Sequence, residues 1–145
     1  MDLELLFEES YDRLVGHGIG ITDRGQVFFR RFYEVFSASS DEVALKFADT
    51  DIDKQVRVLQ KAMFHLISFY LVKNTNDFME DIALSHDQDH LDINPGLYDL
   101  WLDSLLQTVA EMDVDAREDT ELAWKIVMTP GILYLKFHHS PHSQT

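Results

Sequence analysis

The sequence predicts an all-α domain of six to eight helices, and three observations point there. Apolar residues recur at three- and four-residue spacing along almost the whole chain. Polar or glycine-rich breaks divide that pattern into helix-sized pieces. Only ILYLKF at 132–137 reads as a strand, and a strand without a partner has nothing to pair with.

The elements follow in order. The first helix spans about 3 to 15, with Leu6, Tyr11 and Leu14 among acids, and GHGIG at 16–20 ends it. Thr22 or Asp23 is the expected cap of the second helix, with Gln26 placed for a capping-box contact. That helix carries Val27, Phe28, Phe32, Val35 and Phe36. After Ser37–Ser40, Asp41 is the expected cap of a short helix ending near Phe47, and Asp51 of a long one. The long helix has a clear stripe: Ile52, Val56, Leu59, Met63, Leu66, Ile67 and Tyr70.

KNTND at 73–77 is another break, after which Phe78, Ile82 and His86 share one helix face. Pro95 suits a helix start, and Leu97, Trp101, Leu105 and Thr108 follow it. VDAREDT is an acidic loop. The last helix carries Ala123, Ile126, Val127, Leu133, Tyr134 and Phe137, with Pro130 expected to kink it or end it early. The 145 residues suit one domain, with its core at about 5–137 and a flexible tail at 138–145.

Composition removes several function classes. Twelve basic residues against 26 acidic ones give a formal charge of −14, which opposes nucleic acid and anionic membranes as partners. No apolar run is long enough to span a bilayer, and the acidic start MDLELLFEES is unlike a secretory signal, so a cytoplasmic location is expected. There is no cysteine, which excludes disulfides and thiolate metal sites. Ten phenylalanines suit a core and equally a pocket for a flat apolar ligand. Phosphate-loop, dinucleotide and nucleophile-elbow patterns are missing. The DTDID stretch lacks the glycine and glutamate of a calcium loop, with Lys54 and Gln60 in their places.

His86 is the leading candidate metal ligand, since neutral imidazole binds haem iron well. Taken alone it reads equally as a core histidine satisfied by a hydrogen bond. His90 lies four residues on, so a non-haem metal site on His86 and His90 is an alternative.

The segments FYEVFSASSDEVALKF, DKQVRVL, ALSHDQDHLDINPGLYDLWLDSLL and LAWKIV, in that order, resemble a bacterial single-domain globin. The likeness is to the globin part of flavohaemoglobins and to bacterial sensor globins, over roughly residues 5 to 137. It implies a three-over-three helical sandwich holding haem b, with His86 as the proximal iron ligand. It makes Tyr33 the distal donor to a bound gas, Gln55 the distal gatekeeper and Leu59 the residue over the iron. Phe47 becomes the aromatic wedge against the haem, with Ile82 and Tyr98 near the proximal side and Trp124 a packing position.

The break before Gln55 is shorter than in the family, which leaves Phe29 and Phe32 as alternatives to Tyr33 in the pocket. The last helix lacks the family's glutamate partner of the proximal histidine, and a reductase separate from these 145 residues is expected. The resemblance thus implies reversible binding of dioxygen, nitric oxide or carbon monoxide. The implied uses are gas sensing, transport, or nitric oxide dioxygenation with an external reductase. A haem-free globin-like binding or signalling module is the competing expectation.

Overall fold

The computed structural model describes residues 2–16, 22–72 and 95–143. Six helices lie in these segments, with no strand among the described residues: α1 (Leu3–Leu14), α2 (Asp23–Ala38), α3 (Asp41–Lys46), α4 (Ile52–Val72), α5 (Pro95–Met112) and α6 (Thr120–Ser143). The expected helix carrying Phe78, Ile82 and His86 lies outside the described residues.

Local chemistry sets the boundaries. The Asp2 carboxylate accepts from the Leu5 N–H and starts α1. Gly16, at φ 91°, ends the first segment in a conformation that side chains resist. Thr22 caps α2 by accepting from the Gly25 N–H at 2.9 Å, and its own hydroxyl donates to the Val15 carbonyl. With Thr22 as cap, the capping-box position falls on Gly25, so Gln26 does not occupy it. Ser40, not Asp41, caps α3: its hydroxyl accepts from the Val43 N–H, and Asp41 becomes the first helical residue, where its charge suits the helix dipole. Asp51 accepts from the backbone N–H groups of Asp53 and Lys54 at the start of α4.

The helices pack α2 on α5, α4 on α6, α1 on α6 and α5 on α6, with α3 and α4 also touching α2. The core between them is aromatic. Phe28, Phe29, Phe32 and Trp124 are wholly buried, as are Met63, Leu105 and Met128. Trp124 lies edge-on to Phe7 with ring centroids 4.8 Å apart, and Phe32 meets Trp101 at 5.6 Å.

Two apolar positions expected inside face outward: Val27 on α2 and Leu133 on α6 are more than half exposed. Each lies on the side of its helix opposite the buried stripe, Val27 away from Phe28, Phe32 and Phe36 and Leu133 away from Val127, Met128 and Leu135. Pro130 does not end α6, which runs from Thr120 to Ser143 and takes in 132–137 as helix. Burial of Met128, Ile132 and Leu135 on either side of the proline carries the helix through. None of the helices among the described residues is long and apolar enough to cross a membrane.

Candidate functional site

Tyr33, Phe47 and Gln55 come together although they belong to three different elements. Tyr33 lies on the buried face of α2 with Phe29, Phe32 and Phe36. Phe47 closes α3, and Gln55 sits in the first turn of α4. The single O–H of Tyr33 is shared between two acceptors of Gln55, Oε1 and the backbone carbonyl, each 3.3 Å away. The Phe47 ring stands edge-on to Tyr33, with centroids 5.3 Å apart and planes at 62°. Phe36 backs Phe47 at 5.9 Å.

Burial decides which atoms are available here. Tyr33 is only 7% exposed, and burial raises its phenol above the ordinary value, so the hydroxyl stays a neutral donor. Phe47 and Gln55 are half-buried, at the rim. Leu59, one turn beyond Gln55 on α4, is buried in the same core cluster as Tyr33. Tyr98 joins that cluster from the first turns of α5, and burial raises its phenol too.

Phe29 and Phe32, the alternatives to Tyr33, are spent on packing. Phe29 lies against Phe28, and Phe32 fits between Phe36 and Trp101. Ile82 and His86 lie outside the described residues, as does His90. No group of three metal-binding side chains occurs among the described residues.

Arg30 was not singled out in the sequence, and Asp53 was named only within the discarded calcium-loop stretch. They form an ion pair between α2 and α4 beside the Tyr33–Gln55 contact. Nothing in a single sequence distinguishes them from other surface charges, since 23 positions separate them.

The arrangement is an aromatic and aliphatic cluster with one phenol and one carboxamide in contact at its edge. A solved structure from Pseudomonas aeruginosa, described as a protein structurally highly homologous to a human hemoglobin, superposes on the chain with a TM-score of 0.82. The two share 34% sequence identity, and the match covers 95% of this chain and 98% of the other. The chain therefore belongs to the globin family, with the bacterial single-domain globins. No family model matches the sequence, and no curated protein does.

Proposed function

We propose that the protein is a haem-binding globin that reversibly binds dioxygen, nitric oxide or carbon monoxide, with His86 as the proximal ligand. The observation that carries this is the Tyr33–Gln55 contact beside Phe47, in a chain of the globin family.

The residues would suit a flat, largely apolar group that carries a small polar ligand. Phe47 and Leu59 offer it apolar surface. The donor set is chemically apt: a neutral phenol next to a carboxamide, in surroundings dry enough to raise the phenol's pKa. Bound haem would supply a ferrous iron that takes a diatomic gas at its open face. The chain's own residues then do the rest. Tyr33 would turn its single O–H from Gln55 to the gas, and the Gln55 carboxamide would offer its own N–H from the rim. Leu59 limits the room beside them and helps keep water out. A hydrogen bond in such a low-dielectric site is stronger than in water, so gas release is slowed.

A retentive distal pair suits sensing, or nitric oxide dioxygenation with electrons from a separate reductase, better than rapid transport. Gaseous partners follow from the same proposal.

The deciding experiment is an ultraviolet–visible spectrum of the purified chain after haem addition, in the wild type and in His86→Ala. A strong Soret band that shifts with carbon monoxide, and is lost or altered in the variant, supports the assignment. No Soret band in the wild type makes the chain a haem-free globin-like module. Equal metal loss from His86→Ala and His90→Ala without a Soret band would instead favour a non-haem site.

A further inference from the structure

Ile52, Val56 and Leu59 pack the start of α4 into the core, and two polar contacts join its first turn to α2. On the inside, the Tyr33 hydroxyl reaches Gln55 at 3.3 Å, longer than the usual O–H···O hydrogen bond. On the outside, the Arg30 guanidinium donates to the Asp53 carboxylate across the same junction. Arg30 lies one turn before Tyr33 on α2, and Asp53 lies two residues before Gln55 on α4. The two contacts therefore bridge the same pair of helix turns, one part-buried and one at solvent. Asp53 is itself fixed at the helix start, because its backbone N–H donates to the Asp51 carboxylate at 3.0 Å.

We propose that Arg30 and Asp53 are positioning residues for the Tyr33–Gln55 pair. Their ion pair sets how closely the first turn of α4 approaches α2. It thereby sets the separation of phenol and carboxamide that a bound gas would meet. The geometric claim stands on the helices alone, whereas its consequence for gas release rests on the haem-globin proposal above.

Two physical features make the device adjustable. The ion-pair side chains are 40% and 56% exposed, so salt screens their attraction. The inner hydrogen bonds are already long, so a small outward shift of the turn breaks them. Gas retention then depends on ionic strength, although no charged group of the pair lies in the pocket.

The test uses the full chain with tyrosine labelled by carbon-13 at the ring Cζ, observed by NMR without added haem. The Tyr33 signal is identified by its loss in Tyr33→Phe. Arg30→Gln and Asp53→Asn should move the Tyr33 signal in the same direction. Salt at about 1 M, where the Debye length is about 3 Å, should move the wild type the same way and leave both variants unmoved. The swapped double variant, Arg30→Asp with Asp53→Arg, should return the signal towards the wild type. Circular dichroism should match throughout, because an exposed pair contributes little to stability.

In haem-loaded protein the single variants should change the dioxygen dissociation rate by about two- to fivefold, the ratio that corresponds to a surface ion pair. The swap should reverse most of that change. A Tyr33 signal that ignores both single variants overturns the proposal, as does one that the swap fails to restore. Should the chain take up no haem, the haem proposal fails by itself, and the NMR arm still decides whether Arg30 and Asp53 position the pair.

Discussion

Arg13 and Asp113, 100 residues apart, close a two-pronged ion pair: Nε reaches Oδ1 at 2.8 Å and Nη2 reaches Oδ2 at 2.9 Å. The carboxylate side chain is 1% exposed, while the guanidinium remains at the surface at 31%. The pair ties the end of α1 to the end of α5. Removing the carboxylate leaves the Ser10 O–H and part of the Arg13 guanidinium without an acceptor. Asp113→Ala should therefore cost about 3 kcal/mol, as for other broken buried pairs. Asp113→Asn, which keeps the volume and one acceptor, should cost less. Urea unfolding of both variants tests this, and equal stability to the wild type would mean that the pair contributes nothing.

The same carboxylate makes stability pH-dependent. Burial pushes the Asp113 carboxyl up, but hydrogen bonds from Arg13 and Ser10 and the Arg13 charge outweigh it and hold the group below its ordinary value. A folded-state pKa below the unfolded one contributes stability that is complete above the unfolded value, about 3.9. That contribution is lost as pH falls through the folded value. Wild-type stability should drop more steeply than that of Asp113→Asn below about pH 4. Superimposable pH profiles would assign the acid sensitivity to other carboxylates.

Ser10 connects this ion pair to the aromatic core. Its hydroxyl donates to Asp113 Oδ2 at 2.6 Å and accepts from the Trp124 indole N–H at 2.8 Å. Ser10 is wholly buried, so Ser10→Ala leaves a buried indole donor and a carboxylate oxygen short of one partner each. The expected cost is about 2 kcal/mol, more than one ordinary hydrogen bond. A double-mutant cycle with Trp124→Phe should show coupling, because the second change removes one of the groups stranded by the first. Additive costs would mean that the indole does not depend on Ser10.

Much of this architecture was legible in the sequence, and the illegible part has a common cause. Helix periodicity located α2, α4 and α5 because burying one stripe per helix is a local pattern. Tyr33, Phe47 and Gln55 were found through their order and spacing within a family pattern, and the structure brings them into contact. The Arg13–Asp113, Ser10–Trp124 and Arg30–Asp53 contacts link residues far apart in the chain. Apart from Trp124, their residue types are ordinary surface types, so no local signal marks the pairings. Cap choice failed at Ser40 for a subtler reason. Serine and aspartate cap equally well, and only backbone geometry decides which of two neighbours lies outside the helix.

Gly25 shows a constraint that helix propensity would misjudge. Alanine is the better helix former by about 1 kcal/mol. A Cβ at Gly25 would nevertheless lie 3.1 Å from Thr22 Oγ1 and 3.3 Å from both Val15 Cγ1 and the Val15 carbonyl oxygen. These are the groups that join the end of α1 to the cap of α2, and the carbonyl oxygen is backbone that cannot swing away. Gly25→Ala should therefore destabilise the fold by about 1 kcal/mol or more instead of stabilising it. Thermal unfolding reads the sign directly, and a raised midpoint would show that the junction relaxes freely.

Tyr33→Phe separates the tyrosine's two possible contributions. The hydrogen bonds it removes are long, so folding stability of the haem-free chain should change by less than about 1 kcal/mol. In haem-loaded protein the lost donor would no longer retain the gas, and dioxygen should dissociate about three- to tenfold faster, the equivalent of one hydrogen bond. Carbon monoxide, a weaker acceptor, should respond less. Because burial raises the Tyr33 phenol, the wild-type rate should stay level up to about pH 10, where an exposed phenol would begin to ionise. A stopped-flow dissociation series against pH, in wild type and variant, tests each part. An unchanged rate in Tyr33→Phe would remove Tyr33 from the distal side and leave it as a core aromatic packed on Phe47.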